Sequence, residues 1–258
     1  MGRNDIIRAE IAKRNIPFLV HFTREENLSG ILQHGLLSVR DILERGVPAV
    51  GNGDGRLDGG DSPVSLSIAT CDFRMFAAKR KRCPSAQWVL LLLYPDILWK
   101  LECRFYACNA SSTEARYMSH RAGSTTAFLD LFRDVEEPLR GGNLASRRQY
   151  RQIPPFLPTD PASEVQVLGT VPTLFICGAV VEEPGLADRV GEQFRQILKR
   201  DLPVAAGPFR EILSRLNGGA AIEEKRRARE IWDAVAVGED HEPGYLGDGV
   251  WYGPPEGP

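Results

Sequence analysis

The sequence predicts an α+β fold, and three observations carry that expectation. Short apolar runs rich in β-branched and aromatic residues recur from "PFLVHFT" (17–23) to "TLFICGAVV" (173–181). Segments with helical spacing stand between them, "DFRMFAAKRKR" (72–82) being the plainest. No internal repeat is present, and 258 residues suit one large domain or a domain with an appendage.

The elements follow in order. Residues 5–14 predict a short amphipathic helix. The run 17–23 predicts a buried strand, after which Thr23 is placed as an N-cap with Glu26 three residues on, the spacing of a capping box. "REENLSGILQH" then forms a helix that Gly35 ends in a left-handed cap. "GVPAVGNGDGRLDGGDSP" (46–63) is a long flexible glycine-rich loop, and loops of that length in a compact domain are usually functional or disordered. "VSLSIA" (64–69) alternates as a strand does, 72–82 is a helix with a cationic side, and "QWVLLLL" (87–93) is a strand covered on both faces. "PDILW" forms a helical turn, "CRFYACN" (103–109) a strand, and 113–134 is mostly helical. The proline-rich, basic stretch 136–162 is irregular; "SEVQVLGTV" (163–171) and 173–181 are strands. Helical patterns fill 186–200 and 208–235, before an acidic Gly/Pro-rich tail. The expected division is 1–182 for the main domain, with 183–258 packed on it.

Composition excludes several classes. A chain this long buries enough core to need no disulfides. Its five cysteines form no C-x-x-C pair and only four histidines are present, so a structural zinc site is not expected. Free cysteines without a signal peptide point to the reducing cytoplasm. The longest apolar run, "WVLLLLYPDILW", is broken by Pro95 and Asp96, so no membrane span is expected. The net charge of −2 leaves nucleic acid open as a partner, and the cations are segregated. Arg74, Lys79 and Arg80–Arg82 form one patch; Arg140, Arg147, Arg148 and Arg151 form another, with Tyr150 placed to stack on a base.

Four further features carry chemistry. His21 alternates with Phe22 and shares a strand face with Thr23, beside backbone N–H groups left unpaired at a helix start. Alone, such a histidine reads as a packed core residue. Arg56, between glycines, suits a diphosphate fork or a solvated loop. Ser65 and Ser67 give their strand one polar face. Glu164 opens a strand straight after the basic loop, as a carboxylate at a strand end or an arginine's partner would.

Their order along the chain, "HFT…NLSGILQHGLLS", "RLDGG…VSLSI", "WVLLLL", "NASS" and "SEVQVLGTVP", resembles the DarT family of ADP-ribosyltransferase toxins, nearest its guanine-modifying branch. The likeness runs through about Pro172. It implies a split β-sandwich around a cleft for NAD, with residues 1–182 as the transferase domain and no metal. It implies cofactor contacts from His21, Phe22, Thr23, Ser65, Ser67 and Phe76, and catalytic roles for Glu164 and Arg56. Arg74, Lys79, Arg147, Arg148, Tyr150 and Arg151 would bind substrate. The implied activity is transfer of ADP-ribose to a base, guanine, in single-stranded DNA, as the toxin of a toxin–antitoxin or phage-defence system with a cognate antitoxin. The alternatives are the same transfer onto RNA, or a nucleic-acid-binding module with an inactive site.

Overall fold

A computed structural model describes residues 2–51, 63–110, 112, 119–138 and 143–217. Contacts divide the chain into two units, Met1–Asn217 and Gly218–Pro258, and only the first lies among the described residues. That unit continues well past residue 182.

Among the described residues nine strands make two sheets. The large sheet has the order β4-β7-β2-β1-β3-β8-β9, and β5 and β6 form a separate hairpin. The strands are β1 (Leu19–Arg24), β2 (Val64–Ile68), β3 (Trp88–Leu93), β4 (Cys103–Tyr106), β5 (Glu136–Pro138), β6 (Leu144–Ser146), β7 (Glu164–Val167), β8 (Ile176–Val181) and β9 (Val204–Ala206). All neighbours in the large sheet are antiparallel except β8 and β9. Every residue of β3 is buried, because covering elements leave no wet face on this central strand.

One junction is narrow. β1 pairs with β3 along its whole length, Leu19↔Leu93 to Arg24↔Trp88. With β2 it pairs only at Leu19↔Ile68 and Val20↔Ser67. Beyond Val20 the two halves of the sheet have no ladder between them. The α+β class is as expected, and the split is a two-pair seam inside one strand order.

The helices are α1 (Arg3–Arg14), α2 (Leu28–His34), α3 (Val39–Arg45), α4 (Phe73–Arg82), α5 (Ile97–Lys100), α6 (Thr125–Asp130), α7 (Arg147–Tyr150), α8 (Pro184–Gln193) and α9 (Phe209–Asn217). Two aromatic groups tie them to the sheet. Phe22, Phe76, Trp88 and Phe209 meet with centroids 5.1–6.1 Å apart, joining β1, α4, β3 and α9. Phe105, Phe128 and Phe132 join β4 and α6, with the Arg14 guanidinium 4.2 Å from the Phe132 ring. Tilted and edge-on contacts of this kind suit the ring quadrupole.

Local expectations were met unevenly. Gly35 ends α2, but at φ +83° and ψ 178° it is not the left-handed helical cap expected; a Cβ there would lie 2.5 Å from the Val171 carbonyl oxygen, so only glycine fits. The capping box at Thr23 does not form. β1 runs on to Arg24, a 3₁₀ turn covers Glu25–Asn27, and buried Thr23 accepts a hydrogen bond from Asn27 Nδ2 at 3.3 Å. Tertiary pairing with β3 extends the strand past the local cap signal. Helix α3, capped by Ser38 through Asp41 N, and the three-residue β9 went unforeseen, as did β5, β6 and α7 inside the stretch expected to be irregular.

Candidate active site

The seam between β1 and β2 gathers the polar groups. Register places Ser67 opposite Val20, Ser65 opposite Gln166, Gln166 opposite Arg104 and Glu164 opposite Tyr106. Ser65, Ser67, Gln166, Glu164, Arg104 and Tyr106 therefore share one face of the sheet. Ser65 is exposed and Glu164 half-buried, while the alternate residues Val64, Leu66, Val165 and Val167 are buried. Alternation thus puts the apolar set in the core and leaves the polar set on the other face, where Tyr106 alone of the six is buried, packed against Ala122.

Glu164 is held from three directions. The Ser65 hydroxyl donates to Oε1 at 2.5 Å, Gln166 Nε2 donates to the same oxygen at 3.3 Å, and the Ala110 backbone N–H donates to Oε2 at 3.1 Å. Ser65 lies diagonally across the β2–β7 ladder from Glu164, a distance that short side chains can close. A carboxylate with both oxygens engaged presents a fixed lone-pair direction.

His21 fills the seam from the other strand. Its Nδ1 lies 3.0 Å from the Ser65 carbonyl oxygen. A carbonyl only accepts, so Nδ1 carries the proton; burial pulls the imidazole pKa down, which favours the neutral ring. Nε2 is then a bare acceptor, fitted to a hydroxyl. His21, Ser65 and Glu164 form one continuous chain across the place where the ladder stops.

Other expected site residues fall elsewhere. Arg56 lies outside the described residues. Phe76 is 2% exposed inside the aromatic group, so it is a core residue and does not line a cleft; Phe22 packs on the same rings. Arg74 is exposed on the first turn of α4, and Lys79 is half-buried farther along that helix.

The arginines of 147–151 are structural. Glu137, buried on β5, receives Arg147 Nε at 3.1 Å and Arg151 Nε at 2.9 Å, and these neighbours hold its carboxyl below the usual range. Arg148 donates to the carbonyls of Leu157 and Pro154 and to the Thr159 hydroxyl. Asp134 accepts from the Ser146 hydroxyl and the Arg148 N–H. Such engaged guanidinium groups do not stand ready for a phosphate. Tyr150, 63% exposed, faces solvent, and Arg151 is exposed beside it while paired with Glu137.

Sequence reasoning missed the Ala110 amide and gave Gln166 no role. A glutamate and glutamine two apart on a strand necessarily share a face, and that spacing was the available signal. Among the described residues no cluster of metal-ligating side chains occurs, and no helix is long and apolar enough to cross a membrane.

Comparison with known proteins gives the site a context. The family model described as "ssDNA thymidine ADP-ribosyltransferase, DarT" matches residues 20–208, well over half of the chain. The chain belongs to this family. Among solved structures, it is similar to Thermus sp. 2.9 DarT in complex with NAD+, at 16% identity and TM-score 0.43, covering 74% of this chain and 95% of that one. The same Thermus protein in complex with ADP-ribosylated ssDNA aligns at 13% identity and TM-score 0.42, covering 74% and 94%. Thermosipho africanus DarTG in complex with ADP-ribose aligns at 15% identity and TM-score 0.43 over 73% of this chain, which spans about half (49%) of that longer one. A comparison with curated proteins found no match.

Proposed function

We propose that this chain is an NAD-dependent ADP-ribosyltransferase that transfers ADP-ribose to a base of single-stranded DNA. Membership of the DarT family supports the reaction class. The observation that carries the reading is the chain from His21 through Ser65 to Glu164 at the seam.

The chemistry fits these groups. In the transfer, the bond between C1′ of the nicotinamide ribose and nicotinamide breaks, and nicotinamide leaves with the bonding pair. A base nitrogen bonds to C1′ and loses one proton. The transition state resembles an oxocarbenium ion, which a fixed carboxylate stabilises. Glu164 accepts a ribose hydroxyl and takes the proton of the acceptor; base assistance of this kind contributes roughly 10²–10⁴ in rate. The Nε2 of His21 accepts a hydroxyl of the other ribose, and Ser65 fixes the direction of Glu164. Thr23, Ser67 and Phe22 act behind this set, and Arg56 is proposed to serve the diphosphate. On the acceptor side, Arg74, Lys79 and Tyr150 are the groups proposed to meet the strand. Arg147, Arg148 and Arg151 act by holding the segment that carries Tyr150.

Guanine is the acceptor base that the sequence resemblance favours. Thymidine is the second reading, favoured by the family model's own description. A toxin role with a cognate antitoxin follows from the same resemblance.

One assay tests the proposal. Labelled NAD is incubated with single-stranded DNA lacking guanine, single-stranded DNA lacking thymine, duplex DNA, RNA or protein, using the parent and Glu164→Ala. Label on thymine-free single strands, absent in Glu164→Ala, is the expected result. Label confined to thymine-containing strands replaces guanine by thymidine. Label on RNA alone, or an active Glu164→Ala, defeats the assignment. Expression of the parent without an antitoxin is expected to arrest growth.

A further inference from the structure

A cavity of about 360 Å³ opens at the edge of the large sheet, where the first turn of α1, helix α5 and the start of β4 meet. Its polar lining includes Arg3, Asn4, Lys100, Glu102 and Arg104, so three cations face one carboxylate. Arg3 is fixed there. Its Nε donates to the Gly123 carbonyl at 2.9 Å and its Nη1 to Asn4 Oδ1 at 3.1 Å, with the guanidinium 5.7 Å from the Phe105 ring centroid. Lys100 pairs with Asp96 at 3.3 Å and lies 5.0 Å from the Trp99 ring. Trp99 forms part of the wall, and its buried indole N–H finds no protein acceptor.

The position matters more than the charge. β4 is the last strand of the sheet order, and residues 122–123 cover its outer side, the Phe105 N–H donating to the Ala122 carbonyl at 2.8 Å. Arg104 stands opposite Gln166 and Tyr106 opposite Glu164, so Arg104 lies on the Glu164 face two residues along the same strand. Two residues of strand span about 7 Å. A strand of nucleic acid with one base at Glu164 and its backbone crossing the same face would bring a phosphate to Arg104. Planar guanidinium groups match phosphate oxygens through paired N–H donors.

We propose that this cavity binds a backbone phosphate of the single-stranded DNA acceptor, with Arg104 as the primary contact and Arg3 behind it. The inference rests on the reading of the chain as a transferase acting on single strands, and it adds a phosphate site that does not depend on which base is modified.

The test is a salt titration of strand binding, using a short fluorescent single-stranded oligonucleotide and anisotropy, with folding checked by circular dichroism. Losing one phosphate contact lowers the slope of log K against log salt by about 0.7 for single strands. Arg104→Gln is expected to lose that slope and several-fold in affinity, equally on strands with and without the modifiable base. Arg104→Lys is expected to keep the slope, because a point charge still meets the phosphate. A mononucleotide is expected to bind the parent and Arg104→Gln alike. An unchanged slope in Arg104→Gln, while the parent binds and modifies the strand, overturns this inference alone. So does loss of mononucleotide binding without loss of strand binding, which marks a free-nucleotide site. A parent that binds no strand overturns the inference together with the reading beneath it.

Discussion

At the β1/β2 seam, polar side chains meet between strands whose ladder has stopped. In the 134–160 segment they meet inside a closed set of ion pairs and carbonyl contacts. Both regions place carboxylates beside donors, yet only the first leaves acceptors open. Glu164 is oriented by neutral donors, a hydroxyl, an amide and a backbone N–H. Glu137 receives two guanidinium groups. A carboxylate neutralised by arginines is a fastening. One steered by neutral groups keeps its charge available for a substrate's developing positive centre. The contrast separates catalytic from structural polar residues where residue type does not.

The largest effect that sharpens this contrast is expected at Glu164. Glu164→Gln keeps the shape and an acceptor oxygen but removes the charge, and transfer to single-stranded DNA is expected to fall by roughly 10²–10⁴. The melting temperature should stay near that of the parent; a collapse of stability instead would make Glu164 another fastening. Arg148→Ala reverses the pattern. Three acceptors in the 154–159 turn lose their donor, and stability is expected to fall by about 1–3 kcal/mol, read by denaturant unfolding. Transfer per folded molecule is expected to change far less than in Glu164→Gln.

Acid titration offers two finer tests with the same sign and different readouts. Burial lowers the His21 pKa, so the folded state takes up the proton less readily than the unfolded chain. Stability contributed by the neutral ring is therefore full above the ordinary histidine range and is lost as pH falls below about 6.5. Protonation also turns Nε2 from acceptor to donor. The KM for NAD is expected to rise as pH falls in the parent and to stay flat in His21→Gln.

Glu137 titrates in the hairpin. Arg151 first, then Arg147, hold its folded pKa down, so its contribution is full above the unfolded value and lost as pH falls through the depressed folded one. Amide exchange in residues 134–138 and 143–151 is expected to quicken only below about pH 4.3, and Glu137→Gln is expected to abolish that dependence. Exchange that quickens in step with the seam would show that the two regions open as one unit.

Much of the frame was legible in the sequence because its signals are local. The alternation in "VSLSI" marks a strand with a wet face, and the continuous run "WVLLLL" marks one covered on both sides. Asp72 was left unremarked as a cap, although its carboxylate accepts from the Arg74 and Met75 N–H groups. Thr23 shows the limit. Its cap spacing was sound, yet six ladder pairs with β3 outweigh one side-chain hydrogen bond. Strand β9 has three residues and pairs in parallel with β8, so no periodicity can reveal it.

The sequence by itself determined the α+β class, the strands that carry His21, Ser65 and Glu164, and the face on which each stands, because side-chain alternation is a property of the chain. It also placed two clusters of arginine. Only the tertiary structure decided which of these polar groups remain available. Ser65 and Glu164 are 99 residues apart and meet because β2 and β7 are neighbours. Arg147, Arg148 and Arg151 look like a phosphate surface in sequence, yet Arg147 and Arg151 fasten on the Glu137 that β5 brings beneath them and Arg148 on acceptors of residues 154–159. Phe76 sits on the helix of the cationic patch, yet its ring turns into the core. The physical reason is the same in each case. Whether a charge or a ring is free depends on partners that pairing over long sequence distances supplies.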